Sequence, residues 1–347
     1  KTKQNKTTLS SGNAIFTVGA ITRGDTNIHD IMLADMFGAE PRSVKQALSG
    51  PHARIWTESM TAEVDSLLNR RVFVFVDRPP PNAVILPTMF VFKVKADGRH
   101  KSRLVALGNR QPEDTITGSR MAPDKLPVHS TREPDMNDTL SRPKSQKGGE
   151  PDFEEFSVSS PTPRMSTIKM MMILSLKLDY MCRQIDVCSA FSTATLDSAN
   201  PIVIRMPDKG TKYSGRYALC LMSLYGLRSA PSNWSQLFRN YLVGQGWTRS
   251  SYDPCLFTEQ VGSALCMLAH HIDDCLVCGP AAACDNFVNE IDASKGGTFD
   301  ITDEGEVQRF LGITIKRTRE EMLLDQSDLI RSLVEKVGIR QSAGARL

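Results

Sequence analysis

The sequence predicts an α+β protein, because runs with a period of two residues and runs with a helical period both recur along its 347 residues. The clearest strand pair lies at Leu265–Gly279, where two short apolar runs flank Asp273 and Asp274. Such runs, broken by turn-compatible acids, read as a tight β-hairpin with two carboxylates at its tip. The clearest helix carries Trp234, Leu237, Phe238, Tyr241 and Leu242 on one face and stops at Gly244. A second hairpin is expected where Phe90-Val-Phe-Lys-Val-Lys meets Arg103-Leu-Val-Ala across Asp97-Gly98.

Adjacent carboxylates repel unless a cation sits beside them. Asp oxygens are hard ligands that suit Mg²⁺, which is commonly held by one or two carboxylates while substrate phosphates and water complete its shell. Asp273-Asp274 is therefore either a solvated turn or part of a metal site that needs another acid from elsewhere. Asp186 is a candidate, since it interrupts the apolar run Ile185-Asp-Val-Cys. A carboxylate in that setting is costly unless paired, and an ion pair with Arg183 or a helix cap is the alternative reading.

Composition is that of an ordinary globular chain, with 40% hydrophobic and 23% charged residues. No apolar run approaches the roughly 20 residues that cross a bilayer as a helix. Net charge is only +3, yet between Val91 and Arg110 six basic residues stand against one acid, Asp97. Lys93 and Lys95 alternate with Phe90, Phe92 and Val94, so a basic face suited to phosphates backs an apolar one. A solvated basic hairpin has the same pattern. The eight cysteines fall in or beside apolar runs, as reduced core thiols do. His270, His271, Cys275 and Cys278 could be read as zinc ligands. On a strand, however, Cys275 and Cys278 point to opposite faces.

In chain order, residues 1–40 are polar without sustained periodicity and are expected to be a flexible lead-in. The chain starts on Lys with no apolar signal core, which points to a piece of a longer polypeptide. Two short helices separated by Gly50-Pro51 follow, the second carrying Trp56, Met60, Val64 and Leu67. Residues 112–150 collect Pro, Ser, Thr, Asp and Lys and are expected to be a disordered insert. Ser166 is a candidate cap for a buried helix through Ile168, Met171, Met172 and Leu174. Pro201-Ile-Val-Ile-Arg and Tyr217-Ala-Leu-Cys form another strand pair, Cys284, Phe287, Val288 and Ile291 mark a helix, and Phe310–Ile315 pairs with Met322-Leu-Leu. A last helix is expected from Ser327 to Gly338.

Several of these pieces, in this order, resemble the reverse transcriptase of copia-type LTR retrotransposons. The resemblance is carried by Trp56 through Glu63, Phe90-Val-Phe-Lys-Val-Lys, Lys101-Ser-Arg-Leu-Val-Ala-Leu-Gly, Gln184-Ile-Asp-Val-Cys-Ser-Ala-Phe, Ser223-Leu-Tyr-Gly-Leu-Arg-Ser-Ala-Pro, Asp253 to Phe257, Ile272-Asp-Asp and Phe310-Leu-Gly-Ile. It implies a right-hand polymerase fold: 41–111 as connector helices and basic fingers strands, 151–300 as fingers and palm with the catalytic acids, and 301–347 as the palm's end and a truncated start of the thumb. It implies that Asp186, Asp273 and Asp274 are the catalytic, metal-holding acids for two Mg²⁺ ions, with Mn²⁺ as a substitute. Lys93, Lys95, Lys101, Arg103, Phe191, Tyr225 and Gly226 would form the nucleotide pocket, with Phe191 excluding a ribose 2′-hydroxyl. His271 would contact the primer.

The implied activity is RNA- and DNA-templated DNA synthesis on a primer from dNTPs. RNase H and integrase regions would lie elsewhere in the same polyprotein, and a cytoplasmic virus-like particle would be the setting. Three stretches depart from the family's habit: His271 stands for Tyr, Ser229 for Gln, and Ser192-Thr-Ala for Leu-Asn-Gly. These departures and the 112–150 insert support an alternative, a decayed copy that keeps the fold and at most binds nucleic acid.

Overall fold

Three β-sheets, each covered by helices or by another sheet, organise the computed structural model, which describes residues 9–11, 14–16, 40–95, 97–112, 160–196 and 200–337. The strands in chain order are β1 (Leu9–Ser11), β2 (Ala14–Phe16), β3 (Phe73–Val76), β4 (Val84–Val94), β5 (His100–Ala106), β6 (Met181–Val187), β7 (Ile202–Arg205) and β8 (Tyr217–Cys220). They continue with β9 (Thr248–Arg249), β10 (Leu256–Val261), β11 (Ala264–His271), β12 (Asp274–Gly279), β13 (Ile301–Glu306), β14 (Arg309–Phe310), β15 (Ile313–Arg317) and β16 (Met322–Asp325). The helices are α1 (Val44–Ser49), α2 (Ala53–Asn69), α3 (Met165–Lys177), α4 (Ala230–Gly244), α5 (Ala281–Ile291) and α6 (Ser327–Val337).

The expected hairpins form. In β4 and β5 the register pairs Val91 with Arg103 and Lys93 with Lys101, and Phe90 and Phe92 turn inward while Val91 and Lys93 stay exposed. The inward side rests on α2, whose Trp56, Met60, Val64 and Leu67 are buried at the three-to-four-residue spacing of one helix face. Trp56 meets the Phe92 ring edge-on at 5.1 Å. This basic sheet has the order β3-β8-β7-β4-β5, with β4 and β7 parallel and the other pairs antiparallel.

The acid-bearing sheet has the order β13-β6-β12-β11-β10-β9 and is antiparallel throughout. Alternation sends Ile185, Val187, Cys275 and Val277 to a core shared with α4 and α5, and Cys182, Leu276 and Cys278 to a core shared with α3 and the third sheet. Cys275 and Cys278 thus occupy opposite faces, as strand geometry requires, and do not form a joint zinc site. Each fully buried aromatic or aliphatic side chain, Trp234 and Phe238 among them, contributes about 1.5–3 kcal/mol of burial free energy.

One expectation needs correction. Ser166 does not cap α3. That helix begins at Met165, and the buried carboxylate of Asp253 accepts from the Arg164 amide at 2.9 Å and the Thr167 hydroxyl at 2.5 Å. The cap comes from 86 residues away, which local sequence cannot reveal. Within the stretch expected to be a flexible lead-in, β1 and β2 pair, and β2 runs parallel to β16 and extends the third sheet. The expected insert, 112–150, lies outside the described residues apart from Pro112.

Candidate active site

The tip of the β11–β12 hairpin is a two-residue turn, Ile272-Asp273, between the paired residues His271 and Asp274. Ile272 has φ 60°, a left-handed conformation that a β-branched residue resists, at a cost of order 1–3 kcal/mol. Tertiary contacts hold it there. The Trp234 indole donates to the Ile272 carbonyl at 2.6 Å, and the Val187 amide donates to the Asp273 carbonyl at 2.7 Å.

On the other side of the hairpin, Asp274 is paired in register with Asp186 on β6. Cross-strand partners share a face, so His271, Asp274 and Asp186 form one row across β11, β12 and β6. Gln184, two residues from Asp186 on the same face of β6, donates to the Asp274 carboxylate at 3.0 Å. Arg183, the alternative partner for Asp186, is committed elsewhere, to Asp285 and Asp303.

The acids are electrostatically uncomfortable. Burial, opposed by the Gln184 hydrogen bond and reinforced by Glu304, Asp186 and Asp273, pushes Asp274 up to about 7. Burial and then the charges of Asp273 and Glu304 raise Asp186, while Arg103 and Lys101 pull it down. The basic strand β5 therefore faces the acid row. Among the described residues, Asp186, Asp273 and Asp274 have no direct ion pair, and no group of three or more His, Cys, Asp or Glu side chains closes into a ready cage for an ion. Hard oxygen donors carrying unneutralised like charge fit Mg²⁺ of the kind completed by substrate phosphates and water.

The remaining expected residues divide in two. Arg103, Tyr225 and Phe191 come together: the guanidinium lies 4.8 Å over the Tyr225 ring, and Phe191 meets that ring edge-on at 5.1 Å. Gly226 fits where no side chain could. At φ 89° its missing Cβ would stand 2.1 Å from the Ala106 carbonyl oxygen. Lys101 sits near the acids, and burial together with repulsion from Arg103 and Lys95 lowers its affinity for a proton. Lys93, directly opposite Lys101, and Lys95, beyond the end of β4, stand farther along the ladder. Like charges in directly opposed positions destabilise a sheet unless an anion joins them.

Sequence reasoning missed four contributors. Glu304 stands at an irregularity in β13, between the paired Asp303 and Gly305, and adds a fourth negative charge. Gln184 lay inside a motif already singled out. Glu63 is half-buried on α2 and accepts from the Leu104 amide at 3.3 Å; burial raises it, against that hydrogen bond and the charges of Lys101, Arg70 and Arg103. Gly108 donates its amide to the Gly226 carbonyl at 3.1 Å, and a Cβ there would meet that oxygen at 2.1 Å. Its place at the end of Lys101–Gly108 was the available signal.

A model of the family described as reverse transcriptase (RNA-dependent DNA polymerase) matches residues 141–346. The chain belongs to the copia-type reverse transcriptase family. The match takes in Asp186, Phe191, Tyr225, Gly226, Asp273 and Asp274, while the basic strands precede it. The chain is similar to the retrovirus-related Pol polyprotein from transposon TNT 1-94 of Nicotiana tabacum, 25% identical over 313 residues, covering 87% of this chain and 20% of that protein. It is also similar to the retrovirus-related Pol polyprotein from transposon RE1 of Arabidopsis thaliana, 25% identical over 308 residues, covering 87% of this chain and 18% of that protein. The transposon Ty1-DR4 Gag-Pol polyprotein of Saccharomyces cerevisiae is 25% identical over 222 residues, 59% of this chain and 11% of its own length. The chain thus spans about a fifth of its plant relatives in the family. Among the described residues no helix is long and apolar enough to cross a membrane.

The two histidines before the turn differ in setting. His270 is 1% exposed, between Phe238 and Phe257, and its Nδ1 has no hydrogen-bond partner. Burial, with the charges of His271 and Arg249, drives its pKa down to about 4 from an ordinary 6.5. The unfolded chain therefore takes up a proton below pH 6.5 that the fold refuses until about pH 4, and stability is lost as pH falls through this window. Between pH 7 and pH 5 urea unfolding is expected to show a loss of about 2 kcal/mol from this group. His270→Leu is expected to flatten that part of the acid limb, and an unchanged slope would remove His270 as its cause.

Proposed function

We propose that the chain is the polymerising core of a retrotransposon reverse transcriptase, extending a primer with dNTPs on RNA and DNA templates. The observation that carries this reading is the acid row itself: Asp186 and Asp274 in register, with Asp273 at the adjoining tip, opposite Lys101 and Arg103. In this reading the acid-bearing sheet is the palm, the β3-β8-β7-β4-β5 sheet belongs to the fingers, and α6 begins the thumb. Residues 41–111 then supply connector helices and fingers strands, 151–300 fingers and palm, and 301–347 the palm's end.

Asp186, Asp273 and Asp274 would together hold the two Mg²⁺ ions. When bound, such ions supply Lewis acidity for the primer 3′-hydroxyl and charge neutralisation for the pyrophosphate that leaves. Lys101 and Arg103 draw in the triphosphate. Tyr225 holds the Arg103 guanidinium over its ring, and Phe191, braced on the same ring, closes the floor under the sugar so that a 2′-hydroxyl is rejected. Gly226 lets the backbone approach the base and sugar. His271 faces the cleft of about 650 Å³ that Gln184, Asp274, Glu304 and Arg309 also line, where the primer end would lie. RNase H and integrase regions are assigned to other parts of the polyprotein, and a cytoplasmic particle is the proposed setting.

A second reading, a copy that folds and grips nucleic acid without polymerising, draws on His271, whose buried Nδ1 has no hydrogen-bond partner. Primer extension on poly(rA) with oligo(dT), Mg²⁺ and dTTP separates the two. The parent is expected to extend, and the Asp273→Asn, Asp274→Asn double variant is not. Recovery of extension only in His271→Tyr would assign the defect to that one ring. Silence in all three folded proteins would favour the second reading.

A further inference from the structure

The face of β6 and β12 that carries Asp186 and Asp274 carries a second cross-strand pair four residues along each strand. Cys182 and Cys278 are register partners, as the two acids are, and residues four apart on a strand share a face. Their sulfurs lie 3.6 Å apart, and the pair spans 96 residues of chain. Closing to a bond of about 2.05 Å requires a shift of roughly 1.5 Å, within the reach of side-chain rotation between directly opposed strand positions.

Both side chains are almost wholly buried, at 1% and 0% exposure, among Met171, Leu276, Phe310 and Ile313. The Cys278 thiol donates to Cys182. That bond, with Ser175 and the Arg317 guanidinium nearby, holds Cys182 below the usual thiol range, while the same bond and burial push Cys278 above it. The thiolate is the nucleophilic form. The other cysteines differ. Cys266, Cys275 and Cys284 belong to the opposite core, Cys220 and Cys255 are buried without a thiol neighbour in hydrogen-bond range among the described residues, and Cys188 lies against the Thr302 hydroxyl.

We propose that Cys182 and Cys278 are a hydroperoxide-oxidised disulfide site that reversibly stitches β6 to β12 beneath the acid row. The Cys182 thiolate attacks one oxygen of hydrogen peroxide, the O–O bond breaks, and hydroxide leaves, giving a sulfenic acid. The Cys278 thiol then attacks that sulfur, the S–O bond breaks, and water leaves. In sum two thiols are oxidised and one peroxide is reduced to two waters. A neutral oxidant only twice the size of water reaches the pair during local openings of the sheet, where a bulky disulfide reagent does not. Thiol donors reverse the bond.

The test treats the full chain with hydrogen peroxide, quenches it, unfolds it and alkylates the free thiols. The expected product has lost two of its eight thiols and two hydrogens in mass, its Cys182 and Cys278 peptides are joined, and dithiothreitol restores all of them. Cys278→Ala is expected to abolish the joined peptide, and Cys284→Ala to leave it. Eight alkylated thiols from peroxide-treated, folded protein, or a bond joining any other pair, overturns the proposal. The parent's peptide map decides the matter even where a variant fails to fold, and none of these readouts depends on polymerase activity.

Discussion

Asp186→Asn is expected to lower the rate of primer extension by roughly a thousandfold, about 4 kcal/mol of transition-state stabilisation, while leaving the protein folded. Asn keeps the shape and one oxygen but removes the charge that would hold the ions. The stability readout separates this from simple damage. Asp186 is raised by burial and by its acidic neighbours, and Asp274 is raised to about 7 in the same row. Carboxylates whose folded pKa exceeds the unfolded value support the fold while protonated and lose that contribution as pH rises through the folded pKa. In chelator, the acid row is therefore expected to lower stability as pH rises to about 7, opposite in sign to His270, so the comparison is made in the His270→Leu background, whose thermal midpoint is expected to fall over that window. Asp186→Asn, with one fewer repelling charge, is expected to fall less. A variant that is both inactive and less stable at pH 8 would mean that Asp186 serves the fold through contacts, and the acid-row reading would fail.

Gly226→Ala is expected to destabilise the fold by more than about 3 kcal/mol, in the range reserved for named structural lesions. Three costs combine. The residue has φ 89°, where an L side chain is strained. The new Cβ would stand 2.1 Å from the Ala106 carbonyl oxygen and 2.6 Å from the Val105 Cγ1 atom. The obstacle at Ala106 is backbone, fixed by the bond from the Ala106 amide to the Tyr225 carbonyl at 2.8 Å. Relief requires parting the turn from β5, which would take Tyr225 away from Arg103. Urea unfolding measures the loss. In variant that remains folded, the apparent KM for dNTP is expected to rise more than kcat falls, because a binding surface rather than the acid row is displaced. Gly215, with φ 73° and open space around it, is the control: alanine there meets only the backbone strain.

The hairpin around Asp273-Asp274, the basic ladder through Lys101 and Arg103, and the amphipathic α2, α4 and α6 were legible because each rests on a period of two or 3.6 within one segment. Asp186 was legible as an anomaly, a carboxylate in an apolar strand. What remained hidden depends on which strands become neighbours. The row of His271, Asp274 and Asp186 joins residues 90 or so positions apart. Glu304 enters it only because β13 pairs with β6 at an irregular register. Gly108 and Gly226 explain each other, and neither sequence neighbourhood implies the other.

By itself, then, the sequence determined the element types, the face each strand would bury, and where its carboxylates and basic side chains stand along those strands. Side-chain alternation and helical spacing are properties of a local backbone, so they survive in one dimension. The tertiary structure alone decided the cap of α3 by Asp253, the indole that holds the strained Ile272, the raising of Asp274 by its neighbours, and the opposed thiols of Cys182 and Cys278. Each of these is a through-space contact whose energy depends on distance and burial, and those quantities exist only once the sheets have assembled.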